Sequence, residues 1–194
     1  LVPRFKYFVD STFCKPMKLL LNGKMAAIGT TILHKDSAWL ASIIVHPDQR
    51  NQGLGKMITQ KLIDTIDTRQ FTTIYLDATD MGYPVYAKLG FEMETTYAHL
   101  KSEEKVTGLK YSGSVIQFKE EYKEELLQLD RMISCEDRRE SLIENLSTAK
   151  VYLNNNRVEG FFLPSLGNGP IIAANDIAGF ELIKYRLENN YYAI

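Results

Sequence analysis

The chain has 194 residues, 45% of them hydrophobic and 24% charged, with a formal net charge of −1. That near-neutral balance gives no electrostatic ground for nucleic acid or an anionic membrane as partner, and no apolar run approaches membrane-spanning length or reads as a signal peptide, so a cytoplasmic location is expected. Cys14 and Cys135 lie far apart, and His34, His46 and His99 are scattered, so free thiols and no metal site are expected.

Met17 to Leu21, Lys24 to Leu33 and Ala38 to Val45 read as three antiparallel strands, turning at Asn22-Gly23 and at Lys35-Asp36-Ser37. The third strand runs into Val45-His46-Pro47-Asp48-Gln49-Arg50-Asn51-Gln52-Gly53-Leu54-Gly55, a basic, glycine-punctuated turn that opens an amphipathic helix. Glycines there allow close backbone approach to a ligand, and the first N–H groups of a helix lack intrahelical partners, so the segment reads as a phosphate cradle. Arg50 adds a fork of side-chain donors. In the helix that follows, Leu54, Met57, Ile58, Leu62 and Ile66 recur at three- and four-residue steps, leaving Lys56, Gln60, Asp64 and Asp67 outside. A fourth strand, Thr73 to Asp77, leads into a short helix, Val85-Tyr86-Ala87-Lys88-Leu89-Gly90-Phe91, with Gly90 suited to the left-handed position after a helix end and Phe91 expected to begin the next strand.

The spacing Arg50-x-x-Gly53-x-Gly55 lacks the Gly-Lys-Ser/Thr of a nucleoside triphosphatase and the third glycine of a dinucleotide fold. It resembles the pyrophosphate-binding turn of the GNAT superfamily of acyl-CoA-dependent N-acyltransferases, Gln/Arg-x-x-Gly-x-Gly/Ala. The tail Val85 to Phe91 resembles that family's second signature, a tyrosine-bearing helix closed by Lys-Leu-Gly-Phe. The resemblance covers about residues 16 to 100 and implies an α+β fold with a mixed, mostly antiparallel sheet flanked by helices.

It further implies an N-acetyltransferase in which a primary amine of a small molecule, or of a peptide, attacks the thioester of acetyl-CoA directly. The third and fourth strands would splay so that the cosubstrate's arm pairs with backbone of Ile43 and Val45, an N–H near Val45 would stabilise the developing oxyanion, and the amides of Arg50, Asn51, Gln52, Gly53, Leu54 and Gly55 would hold the pyrophosphate. Tyr86 stands at the position of the general acid that protonates the departing thiolate. Where the family commonly has asparagine seven residues before this tyrosine and alanine four before it, this chain has Thr79, which can still hydrogen-bond the arm, and Gly82. His46, Asp77 and Asp80 are each placed to act as general base, while capping of the following helix is the simpler role for the two aspartates. A CoA-binding regulatory or scaffolding module without turnover is the alternative class.

In the second half, Phe118, Tyr122, Leu126, Leu129 and Ile133 mark one helix and Leu142, Ile143 and Leu146 a shorter one. Lys150 to Phe161 then echoes Lys18 to Gly29, and Pro170 to Asp176 echoes Ser42 to Asp48, with a helix again following that carries Ile177, Phe180, Ile183 and Leu187 on one face. These echoes read as a degenerate second unit with no counterpart of Gln49 to Gly55, hence no cradle. The expected organisation is a catalytic, cosubstrate-binding unit over 1–100, a linker over 101–114 and the degenerate unit over 115–194. The second unit is expected to shape the acceptor pocket or a subunit contact, the latter implying a homodimer. Few residues precede the first meander strand and little follows residue 190, so a fragment of a longer protein, or a site completed by another chain, is expected.

Overall fold

The computed structural model describes residues 2–96 and 108–189, with side chains from residue 5 onward, and separates into two compact units, Leu1–Ala98 and His99–Ile194. In the first, α1 (Val2–Asp10) precedes β1 (Cys14–Leu21), β2 (Lys24–Leu33) and β3 (Ser37–Val45); α2 (Leu54–Asp64), β4 (Thr73–Leu76) and α3 (Tyr83–Ala87) follow. The sheet order is β1-β2-β3-β4, antiparallel except for β4, which runs parallel to β3. The first hairpin closes through Asn22 and Gly23 at φ 51° and 77°, positive at both central positions as a type I′ turn requires.

α2 lies on the sheet because Leu54, Ile58 and Leu62 point down onto it, Leu62 joining Ala38, Leu40, Ile66 and Phe71 in a buried cluster. Gly29 makes that approach possible, since a Cβ there would come within 2.7 Å of Leu62 Cδ1. Met57, expected on the buried stripe, is 50% exposed: its place on the helix turns it past the edge of the sheet contact. α1, which the sequence pattern does not announce, packs its Phe8 with Phe13 and Cys14, against Phe5, Tyr7 and Ile32.

The second unit comprises β5 (Val115–Gln117), α4 (Lys123–Ser134), α5 (Arg139–Ile143), β6 (Lys150–Asn154), β7 (Arg157–Phe162), β8 (Ile171–Ala173) and α6 (Asp176–Glu188), with a wholly antiparallel sheet ordered β5-β6-β7-β8. Leu126, Leu129, Leu142, Val151 and Phe161 form one core, and Tyr152, Phe162, Ala178 and Leu182 belong to another, so helices cover both faces of this sheet. A buried ion pair, Asp130 with Arg138, ties α4 to the start of α5.

Three expectations fail here. Phe118 does not start a helix: Val115–Gln117 pairs with β6, the Phe118 amide continues the ladder to Ala149 O, and α4 begins only at Lys123. In α6 the stripe Ile177, Phe180 and Ile183 faces outward at 66%, 61% and 43% exposure, while Ala178 and Leu182 are buried. The reason is close approach through small residues: a Cβ on Gly160 would meet Leu182 Cδ1 at 2.8 Å and Ala178 Cβ at 3.3 Å. In the first unit, residues 91–96 form no strand. The expected start of a strand at 190–194 and the first half of the expected linker, 101–107, lie outside the described residues.

The two hairpins correspond closely. The second turns through Asn155 and Asn156 at φ 49° and 61°, and each second strand carries one extra residue at the matching place, Ala26 in β2 and Glu159 in β7. His46 N donates to Ala26 O at 2.8 Å, and Ala174 N donates to Glu159 O at 2.8 Å. These landmarks equate Lys24 with Arg157, one residue out of step with the echo of Lys18–Gly29 in Lys150–Phe161.

Candidate functional site

The site is built where β3 outruns β4. Their parallel pairing ends at Leu40 and Leu76, whereas β3 continues to Val45. Within that extension the β2–β3 register shifts between Ile28 and Thr30, and Ser42 adopts φ 53°, a bulge that bends the strand. Ile43, inside the bulge, packs its side chain toward Gly29 and the α2 cluster. The pleat fixes the direction of the next peptide groups: His46 N–H is directed to Ala26 O on β2, so the N–H and C=O of Val45 face the other edge, toward the opening. Arg50 lies on that side, its Nε donating to Val45 O at 3.4 Å.

The connecting turn begins as a 3₁₀ turn, Pro47–Gln49, whose N-cap is His46: Nδ1 accepts from Asp48 N at 3.3 Å. Asn51 and Gly53 both take positive φ, 60° and 78°, separated by Gln52, which is not among the positive-φ residues. This alternation of hand makes successive N–H groups converge on one concavity, a shape that binds anions. Gly53 is also the N-cap of α2, without a side-chain cap bond, so the positive end of the helix opens toward that concavity. A Cβ on Gly53 would have nothing within 4 Å, and one on Gly55 would touch only Val45 Cγ2 at 3.8 Å. Neither glycine is therefore demanded by internal packing; at Gly53 the backbone angle demands it, and at Gly55 the open space is the feature left.

The corresponding helix start in the second unit is closed. Asn175 caps α6 by accepting from Ala178 N at 3.0 Å, and Asn175 Nδ2 in turn donates to Glu159 Oε2 at 2.9 Å. Its two donors hold the Glu159 carboxyl below the usual carboxylate range, Asn175 first and Asn154 second.

Beyond β4, Thr79 fixes the start of α3: its O accepts from Gly82 N at 2.8 Å and Tyr83 N at 2.9 Å, and its Oγ1 lies 3.3 Å from Gly82 N. The turn is thus held by Thr79 rather than by the expected caps Asp77 and Asp80, both exposed. Tyr86 is partly buried in α3, and burial raises its phenol above the ordinary tyrosine range. Beyond α3 the chain turns away through Gly90, φ 90°, with Phe91 N donating to Tyr86 O at 3.2 Å, the six-residue closure of a Schellman motif. Among the residues expected at the site, Ile43, Val45 and Arg50 to Gly55 thus share one strand end and its turn, while Thr79 and Tyr86 share the α3 turn that packs on α2. Neither the Ser42 bulge nor the Gly82 contact with Tyr86 is legible in sequence, since a left-handed serine leaves no compositional mark and ring placement is not set by spacing.

Residues 5–91 match the model of the acetyltransferase (GNAT) family. This unit belongs to the GNAT family. The chain is also similar to the ribosomal protein bS18 alanine N-acetyltransferases of Escherichia coli, 37% identical over 81 residues, and of Salmonella typhimurium, 35% over 82 residues. These matches cover 40% and 41% of this chain, and the chain spans 55% of the length of either relative. A solved Pyrococcus horikoshii structure assigned to the acetyltransferases follows 96% of this chain, and 65% of its own, at a TM-score of 0.70 and 20% identity, which extends likeness of fold past the GNAT unit into the second. Among the described residues no helix is long and apolar enough to cross a membrane.

Proposed function

We propose that this chain is an acetyl-CoA-dependent N-acetyltransferase that acetylates a primary amine by direct attack on the thioester. The observation that carries the reading is the coincidence of two openings: β3 sheds its β4 partner after Leu40, and the same strand ends in an uncapped helix start with converging amides. A pantetheine arm needs strand-like backbone to pair with, and a pyrophosphate needs inward N–H groups; the residues present fit both. Acetyl-CoA supplies the activated acyl group. The amides of the Asn51 to Gly55 turn hold the pyrophosphate, and Arg50 adds positive charge beside it. Val45 N–H, aimed at the opening, polarises the thioester carbonyl, and the Tyr86 phenol donates its proton to the departing sulfur.

His46 is a poor general base as it stands, because Nδ1 already accepts from Asp48 N and in the neutral ring the proton then sits on Nε2. Asp77 and Asp80, exposed and not engaged in the α3 turn, take that role better, directly or through water. For the acceptor, the likeness to ribosomal protein alanine N-acetyltransferases favours a peptide or protein α-amine over a small-molecule amine. The second unit, with its helix start capped by Asn175, acts in this reading as a degenerate copy without a cosubstrate site.

The test is turnover of the purified protein with acetyl-CoA against peptides beginning with alanine and a panel of small primary amines, read by thiol release and by product mass. Acetylated peptide is the expected result. Acetylation of small amines alone would transfer the acceptor assignment to them. Tight acetyl-CoA binding with no product from any acceptor would favour the non-catalytic CoA-binding module.

A further inference from the structure

We propose that Gly82 and Phe91 are positioning residues that seat the Tyr86 ring, so that the absence of a side chain at 82 sets where its hydroxyl stands. The inference rests on the reading of Tyr86 as proton donor. A Cβ built on Gly82 would lie 2.9 Å from Tyr86 Cε2, closer than real Cβ atoms come to another atom, so the ring occupies space that a methyl group at 82 would fill. Gly82 needs no glycine for its backbone: its φ of −82° and ψ of −33° are helical and open to any residue. Its contact with the ring is therefore what distinguishes glycine here, at a position where the family resemblance has alanine.

The opposite constraint comes from Phe91. Its ring meets Tyr86 edge-on, centroids 6.2 Å apart at 69°, and it is brought there by the left-handed Gly90 and the bond from Phe91 N to Tyr86 O. Gly82 admits the ring on one side and Phe91 stops it on another. A methyl at 82 forces the ring to move by several tenths of an ångström to restore ordinary contact. A proton donor depends steeply on such shifts: a misplacement of about 1 Å can cost on the order of 10²-fold in rate.

The experiment is a double-mutant cycle of Gly82→Ala and Tyr86→Phe, with kcat, KM and the acetyl-CoA dissociation constant measured for all four proteins using the acceptor found in the turnover screen. Gly82→Ala alone is expected to lower kcat about tenfold, on the scale of that positional sensitivity, with acetyl-CoA affinity unchanged within about twofold. In the Tyr86→Phe background the same substitution is expected to do nothing further, since the ring moves but no hydroxyl is left to misplace. An equal loss in both backgrounds would make the effect merely structural and overturn the proposal. So would a normal kcat for Gly82→Ala beside a slow Tyr86→Phe, which would leave the role of Tyr86 standing. A Tyr86→Phe enzyme as fast as the parent would instead remove both.

Phe91→Leu serves if Gly82→Ala fails to fold; it is expected to lower kcat in the parent and not in the Tyr86→Phe background. A readout independent of turnover is the ultraviolet titration difference between parent and Tyr86→Phe, which isolates this phenol. Repeated in the Gly82→Ala background, it is expected to shift as the ring changes its surroundings. An unmoved titration would overturn the proposal.

Discussion

Placing aspartate at Gly55 separates the stability of the helix start from its capacity to hold an anion. Gly55 is the second residue of α2, and a Cβ there would meet only Val45 Cγ2, at an ordinary 3.8 Å. In the protein alone, Gly55→Asp replaces a poor helix former and puts a negative charge at the positive end of an uncapped helix, together worth about 0.5–1 kcal/mol in favour of folding. For a chain of this length that is a rise in Tm of about 1–4 °C. With a pyrophosphate in the cradle the sign reverses: two like charges about 5 Å apart at an effective dielectric of about 20 repel by about 3 kcal/mol. That corresponds to a loss of affinity on the order of 10²-fold. Gly55→Ala is the control, expected to keep acetyl-CoA binding. Thermal melting and calorimetric titration of the three proteins provide the assay. Parent-like affinity in Gly55→Asp would refute the assignment of the cradle, and a Tm lower by several degrees would refute the description of this helix start as open.

Tyr86→Phe is expected to lower kcat by about 10²-fold, within the usual range for a general acid, and to leave acetyl-CoA binding intact; steady-state kinetics beside a binding titration checks both halves. Asn175→Ala removes the cap of α6 and is expected to destabilise the protein by about 1 kcal/mol, measured by chemical denaturation, with no change in acetyl-CoA affinity. The Glu159 carboxyl is lowered in the folded state by Asn175 and Asn154, so its contribution to stability is present above its ordinary pKa of 4.5 and is lost as pH falls below that value. Glu159→Gln is accordingly expected to flatten the acid limb of a Tm-against-pH curve between about pH 5 and pH 3, and an unchanged limb would show that these hydrogen bonds carry no linkage.

Local rules made much of the first unit legible. Asn22-Gly23 names its own turn type, an apolar and β-branched run marks β2, and the spacing of Arg50, Gly53 and Gly55 announces an anion site because it joins a cationic side chain to a left-handed glycine and an open helix start. What escaped depends on partners distant in sequence. β5 is a three-residue strand that exists only through pairing with β6, and on its own Val115 to Phe118 merges into the helical pattern that follows. α6 carries apolar residues on more than one side, and its orientation is decided by how closely Ala178 and Leu182 can approach Gly160, not by which side is more apolar. Ser42 reaches φ 53° because the register of β3 against β2 requires an extra residue there, a demand invisible in serine itself. The closeness of Gly82 to Tyr86 is likewise a matter of ring placement that spacing alone does not specify.

In the proposed function one unit of this chain, and not its companion, holds acetyl-CoA, through the β3 opening and the Asn51 to Gly55 cradle. Calorimetric titration of the purified protein with acetyl-CoA tests it most directly, because the stoichiometry reads the number of competent sites. Saturable binding at one acetyl-CoA per chain is expected, since the α2 start is open and the α6 start is capped by Asn175. Two per chain, or no heat from a protein that is demonstrably folded, would contradict it.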